Sequence, residues 1–273
     1  MFGNFLENVR KSNPLIHSIT NYVTVNDVAN MILACGASPI MADDVNEVEE
    51  VTAMCQGLNI NIGTLQFRTI ESMLKAGKKA IELQHPVIFD PVGISVSEFR
   101  SQAAFELLKE VSVSVIKGNM SEIRFLFDHS GITKGVDVNT EDTVTKDKLE
   151  YAVSYVKEAA RVLNCVVAVT GKIDLVSDGH RCYVIYNGVK EMSQITGTGC
   201  QLAGLIACFV AANKESVCEA TAAAVCAMGL AGEIASSFMK KNEGNATFRN
   251  RLIDAVFNMN KEVLDKGAMY EIR

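Results

Sequence analysis

With 273 residues the chain has room for one large α/β domain or two small ones. Its net charge of −6, the absence of Trp and the lack of a basic tract with interleaved aromatics disfavour nucleic-acid binding and electrostatic membrane attachment. With 48% hydrophobic residues and only four prolines, a sizeable core is expected. The opening "MFGNFLENVRKSN" has no apolar core of signal-peptide length, so no secretory leader is expected. The apolar run Leu202 to Ala212 is too short to span a bilayer, and Val217 to Ala235 carries Glu219 and Glu233 and reads as a buried or interface helix. Cysteines stand at 35, 55, 165, 182, 200, 208, 218 and 226, with no two in CxxC spacing and most in apolar stretches. They read as small core residues of a cytoplasmic protein rather than as a disulfide framework or a zinc site.

Taken in chain order, "NPLIHSITNY" places His17, Asn21 and Tyr22 in a polar loop before the first predicted helix. "TVNDVANMILACG" has helical spacing, with Val25, Val28, Ala29, Ile32 and Leu33 on one face and Gly36 as a stop. "SPIMA" is a short strand. "VNEVEEVTAMCQG" is an amphipathic helix ending at Gly57, and "LNINIG" alternates as a half-buried strand. "TIESMLKAGKKAIELQH" predicts a helix and "PVIFD" a buried strand. "SEFRSQAAFELLKEV" opens on Ser97 as an N-cap, "VSVIKG" is a strand and "MSEIRFLFD" a short helix. Residues 131–144 are polar and read as a surface excursion. "TKDKLEYAVSYVKEAARVLN" is a helix and "CVVAVTG" a strand.

Repeated strand–helix alternation predicts parallel strands joined by right-handed crossovers, with helices on both faces. "KIDLVSDGHRCYVIYNG" breaks the rhythm, and its alternation around Asp178-Gly179 predicts an antiparallel hairpin at the sheet edge. Beyond it the chain looks helical to the end. No linker or internal repeat is visible, so residues 1–273 read as a single domain.

Ligands of open α/β sheets bind beyond the carboxyl ends of the strands. Gly197-Thr198-Gly199-Cys200 would converge backbone N–H groups at a helix mouth, where an anion such as a transferring phosphate is stabilised. A plain helix–sheet turn is the structural alternative. Cys200 reads either as a small buried residue or, at a helix N-terminus, as a thiol of lowered pKa able to serve as base or nucleophile. Lys117 ends a strand, and Asn119 and Glu122 have capping-box spacing at a helix start. The same pair offers oxygen ligands to Mg²⁺ and its waters. Asp90 in "FDPVG" is either a further metal-side acid or a loop-ordering aspartate. Asn21 can both donate to and accept from a small polar ligand, and Met41 suits an apolar heterocycle. His17 reads as a structural histidine before a base, and Asp43-Asp44 as a solvated helix entry.

In this order, "NPLIHSITNYVTVNDVAN", "GASPIMADD", "NIGTL", "FDPVG", "KGNMSEI", "VAVTGKIDLVSDG" and "ITGTGCQLAG" resemble the hydroxyethylthiazole kinase family of the ribokinase-like superfamily, over nearly the whole chain. The resemblance implies a three-layer ribokinase-like fold without a lid, and transfer of the ATP γ-phosphate to the hydroxyl of 4-methyl-5-(2-hydroxyethyl)thiazole in thiamin salvage. It implies Cys200 as the catalytic residue, where most sister kinases carry Asp. It implies Met41 and Gly197, with Asn21 nearby, against the thiazole. Lys117, Thr170 and Asn119 would face ATP, and Asp90 and Glu122 would organise Mg²⁺. The family usually carries Arg where Lys117 stands; Lys keeps the charge and loses the bidentate geometry. A homotrimer with sites between subunits is also implied. Sister readings on the same fold are a hydroxymethylpyrimidine or pyridoxal kinase and an ATP-dependent dehydratase of damaged nicotinamide cofactors. A silent ligand-binding protein and a cysteine-nucleophile hydrolase are readings of other classes.

Overall fold

The rhythm of apolar runs and amphipathic stretches becomes one sheet sandwiched between helices. The computed structural model describes residues 1–129, 144 and 146–273. The first half alternates α1 (Gly3–Ser12), β1 (Leu15–Ile19), α2 (Val25–Cys35), β2 (Ser38–Ile40), α3 (Val48–Met54), β3 (Gly57–Asn61), α4 (Phe67–Glu82), β4 (Val87–Asp90), α5 (Glu98–Glu110), β5 (Val115–Asn119) and α6 (Met120–Asp128). The second half carries α7 (Leu149–Leu163), β6 (Val166–Thr170), β7 (Asp174–Ser177), β8 (Cys182–Ile185), α8 (Thr198–Ala211), α9 (Val217–Ser237), α10 (Asn245–Asn258), α11 (Lys261–Gly267) and β9 (Tyr270–Ile272).

Among the described residues the strands form one sheet in the order β2-β1-β3-β4-β5-β6-β7-β8-β9. The pairings from β2 through β6 are parallel. Those from β6 to β9 are antiparallel. Strand side chains alternate between two cores, as a period of two requires. Ile88 and Val115 face the core built with α1, α2, α8, α9 and α10. Val87, Phe89 and Ile116 face the core built with α4 to α7. Burial on both faces explains why the central strands are nearly continuously apolar. The expected hairpin is β7–β8, with Gly179 at φ 89° in its turn. Ser97 caps α5 by accepting from Arg100 N.

Three expectations are corrected. The stretch read as a loop around His17 contains β1, which lies inside the sheet between β2 and β3. Its polar residues are internally satisfied: His17 Nδ1 is 2.8 Å from Thr52 Oγ1, its Nε2 2.9 Å from Ala42 O, and Asn59 Nδ2 donates to Ser18 Oγ at 2.9 Å. Gly57, expected to end a helix, opens β3. The C-terminal segment is not helical throughout, because β9 pairs with β8. Of the surface excursion expected at 131–144, all but Val144 lies outside the described residues. The segment Lys214–Ser237 is long and apolar enough by composition to cross a membrane, but it is mostly buried inside the fold as α9.

Candidate active site

The parallel strands all end on one side, and their last residues deliver the polar groups. Asn61 and Asp90 are direct register partners at the ends of β3 and β4. Lys117 lies near the end of β5, and Thr170 ends β6 opposite Asn119. Asp90 and Lys117 are buried and joined at 3.1 Å between Lys117 Nζ and Asp90 Oδ1. Burial is the larger influence on Asp90 and raises its pKa to about 6, with the Lys117 charge pulling the other way. Burial would lower the Lys117 pKa, but Asp90, Glu122 and Cys200 outweigh it and hold the ammonium above its ordinary value. The Lys117 ammonium thus brings positive charge to the site.

The glycine turn packs over this pair. Gly197 is the N-cap of α8 at φ 82°, a conformation that L side chains adopt only at a cost. Two residues on, a Cβ on Gly199 would come within 2.8 Å of Lys117 Nζ. The turn thus brings the first N–H groups of α8, and the positive end of its dipole, against the lysine charge. That is a strong local field for an anion.

Cys200 sits at the first turn of α8, only 7% exposed. Two buried amides hold its sulfur. Asn21 Nδ2 donates to Sγ at 3.2 Å and Asn61 Nδ2 at 3.3 Å. Asn21 is itself fixed because its Oδ1 accepts from Thr24 N at 3.1 Å and Thr24 Oγ1 at 3.0 Å. Of the two readings of Cys200, the small buried residue fits these surroundings and the thiol of lowered pKa does not. Burial, and then the charge of Asp90, raise the Cys200 pKa, and Lys117, Thr24 and Asn21 only oppose the rise. Desolvation of the thiolate is the largest of these influences.

Asn119 and Glu122 form the expected capping box: Glu122 N donates to Asn119 Oδ1 at 2.9 Å, and Asn119 N to Glu122 Oε2 at 2.8 Å. Glu122 Oε1 also accepts from Gly93 N at 2.9 Å. Asp90 Oδ2 accepts from Asn61 Nδ2 at 2.8 Å. Each of these carboxylate oxygens has one hydrogen-bond partner here and keeps a second lone pair. Among the described residues no group of three or more His, Cys, Asp or Glu side chains forms a ready-made cage. Two carboxylates with spare lone pairs fit Mg²⁺, which keeps its waters and is bound through one or two carboxylates and substrate phosphates.

A cavity of about 690 Å³ opens on the other side of the turn. That size suits a cofactor-sized ligand. Thr170, Gly171 and Asp174 line one wall, Thr198 and Gly199 the head, and Leu202, Val225 and Met228 an apolar flank. Burial pushes the Asp174 carboxyl up to about 7, against the opposing hydrogen bond from Gly171 N. Thr170 therefore stands in the cavity, whereas Lys117 lies behind its head and Asn119 at the exposed end of β5.

Gly197 packs on the opposite side. A Cβ there would meet Thr24 Cγ2 at 2.3 Å, which ties the turn to the Asn21 loop. Met41, just past β2, is partly buried against the core cluster that contains Cys200 and Val28. His17 is a satisfied structural residue with its pKa lowered by burial. Asp43 and Asp44 are exposed. All eight cysteines are free. Asn61 was not singled out by sequence reasoning, because the alternation of "LNINIG" assigns its asparagines to solvent. The same holds for Arg100, whose Nη2 donates to Gly63 O at 2.5 Å and Nη1 to Val92 O at 3.1 Å. It joins the turns that follow β3 and β4.

The family model for the hydroxyethylthiazole kinase family matches residues 6–262. The chain belongs to that family. A hydroxyethylthiazole kinase from Clostridium acetobutylicum is 55% identical over 266 residues, covering 97% of this chain and 97% of the relative. The solved hydroxyethylthiazole kinase of Pyrococcus horikoshii superposes with a TM-score of 0.89 at 36% identity, covering 100% of this chain and 98% of that one. A ribokinase-like superfamily protein from Enterococcus faecalis, at 14% identity, has a TM-score of 0.63 over 92% of this chain and 88% of its own. The latter shows the fold alone. The α/β architecture with a mostly parallel sheet and an antiparallel edge is thus the ribokinase-like fold.

Proposed function

We propose that this chain is an ATP-dependent kinase that phosphorylates the hydroxyl of 4-methyl-5-(2-hydroxyethyl)thiazole in thiamin salvage. The observation that carries it is the placement of Cys200. Its sulfur is held by Asn21 and Asn61 at the turn that separates the nucleotide-sized cavity from the Gly197–Thr24 side. An alcohol presented from the second side meets a phosphate presented from the first.

In this reading the nucleotide occupies the cavity along Thr170, with its terminal phosphate at the head of α8. Lys117 and the N–H groups of the turn stabilise charge on the transferring phosphoryl group. Asp90 and Glu122 would hold Mg²⁺ with its waters; bound there, the ion would offset phosphate charge. The alcohol oxygen bonds to the γ-phosphorus as the bond to the ADP oxygen breaks. Cys200, a neutral thiol by virtue of its raised pKa, orients that oxygen; the hydroxyl proton leaves late, to an oxygen of the transferred phosphoryl group, since a loose phosphoryl-transfer transition state needs little proton removal before the new bond is nearly made. Met41 and Gly197, with Asn21, would face the thiazole, and Asn119 would stand at the phosphate end of ATP. A homotrimer with the thiazole site between subunits belongs to this reading, and the exposed Tyr22 and Val23, which follow Asn21, offer apolar surface beside that site. We take residues 1–273 as one domain and the setting as cytoplasmic.

The test is ADP release from Mg-ATP with hydroxyethylthiazole, hydroxymethylpyrimidine and pyridoxal offered separately. Release with the thiazole alone is expected. Release only with another alcohol would retain the kinase and refute the substrate. Folded protein that binds ATP and releases no ADP with any of them would refute the kinase.

A further inference from the structure

Asn61 stands at the end of β3, 2% exposed, and touches both halves of the site. A carboxamide has two N–H donors and two acceptor lone pairs. All four are used here. Nδ2 donates to Asp90 Oδ2 at 2.8 Å and to Cys200 Sγ at 3.3 Å. Oδ1 accepts from Gly63 N at 2.9 Å and from Asn21 Nδ2 at 3.0 Å. The network leaves no freedom to turn the amide over. Flipped, its oxygen would face the Asp90 carboxylate and its NH₂ would face two other donors.

From this geometry we infer that Asn61 is a positioning residue, which sets Cys200 Sγ at a fixed distance from the Asp90–Lys117 pair. The inference rests on the phosphoryl-transfer reading above. One amide spans the acceptor side, where Sγ meets the alcohol, and the phosphate side, where Asp90 and Lys117 lie. Asn21 alone cannot do this, since its contacts are with Sγ, Asn61 and Thr24. Removing Asn61 frees Sγ on one side and leaves Asp90 held by Lys117 only. Misplacement of a reacting group by about 1 Å costs on the order of 100-fold in rate. The nucleotide cavity is not lined by Asn61, so nucleotide affinity is expected to survive the change.

A double-mutant cycle on the full chain reads this directly. Asn61→Ala, Cys200→Ala and the double variant are compared with wild type for kcat, KM of the thiazole alcohol, KM of ATP and melting temperature. Asn61→Ala is expected to lower kcat roughly 100-fold with the ATP KM within about threefold of wild type. In the Cys200→Ala background the same change is expected to cost less than about threefold, because the group it positions is gone. A purely structural role would multiply the two losses and move the ATP KM as well. Asn61→Ser, which keeps a short hydroxyl donor, is expected to give the same pattern with a smaller kcat loss. Multiplicative losses, an Asn61→Ala kcat near wild type, or failure of both Asn61 variants to fold overturns the assignment of Asn61 alone. Wild type that releases no ADP with the thiazole alcohol overturns the reaction and this inference with it.

Discussion

Gly197→Ala is the substitution whose outcome the geometry fixes most closely. Position 197 has φ 82°, and an added Cβ would lie 2.3 Å from Thr24 Cγ2 and 2.9 Å from Thr24 Cβ. The left-handed backbone costs a residue with a Cβ about 1–2 kcal/mol. Thr24 cannot simply swing aside, since its N and Oγ1 both donate to Asn21 Oδ1. Forcing it away adds an overpacking cost on the order of 1–3 kcal/mol. The sum, roughly 2–5 kcal/mol, corresponds to a fall in melting temperature of about 4–20 °C for a chain near this size. Displacing Thr24 also releases Asn21 from its fixed orientation, and Asn21 holds Cys200 Sγ. Turnover should therefore fall further than the loss of folded protein explains. Thermal unfolding measured beside ADP release on the same preparation checks both. An alanine variant that melts within about 1 °C of wild type and keeps its kcat would refute the claim that the Gly197–Thr24 contact fixes the site.

Other outcomes follow from the same geometry. Lys117→Met strands the buried Asp90 carboxylate and should cost about 3–5 kcal/mol in denaturant unfolding, with loss of phosphoryl transfer. Lys117→Arg, which restores a guanidinium, should retain activity and change the KM of ATP; a dead, folded Arg variant would contradict the phosphate-facing role. Arg100→Ala unpins the turns after β3 and β4 and should lower kcat more than it lowers melting temperature, while Arg100→Lys recovers only part because one ammonium cannot match both carbonyls. His17 has its pKa lowered by burial, so the unfolded chain binds more protons between the folded value and the ordinary 6.5. Its contribution to stability is present above that range and is lost as pH falls through it. His17→Gln should therefore flatten the fall in melting temperature below neutral pH; an unchanged slope would contradict this.

The strand–helix alternation was legible because the parallel strands are buried on both faces and the helices keep one apolar stripe. β1 was not, since His17 and Ser18 read as polar and only their partners on α3 and β3, far away in sequence, make their burial tolerable. β9 is a strand by virtue of pairing with β8 and has no pattern of its own. At the site, Asp90, Lys117 and the Gly197–Cys200 turn announce themselves as ionisable or glycine-rich strand ends. The spacing of Asn119 and Glu122 gave their capping box outright. The two amides that hold Cys200 could not be paired from sequence, because Asn21, Asn61 and Cys200 converge only when β1, β3 and α8 are packed together. For the same reason the direction of the Cys200 pKa was open from sequence: helix position is local, whereas burial and the Asp90 charge come from the tertiary fold.

The most direct test of the central claim compares kcat with ATP affinity in Cys200→Ala. The account predicts a fall in kcat on the order of 100-fold with thiazole as acceptor, from a lost positioning group, and ATP binding close to wild type. Cys200→Asp, which restores an acceptor at the same point, should recover turnover. Unchanged turnover in the alanine variant would remove Cys200 from the reaction and contradict the site described here.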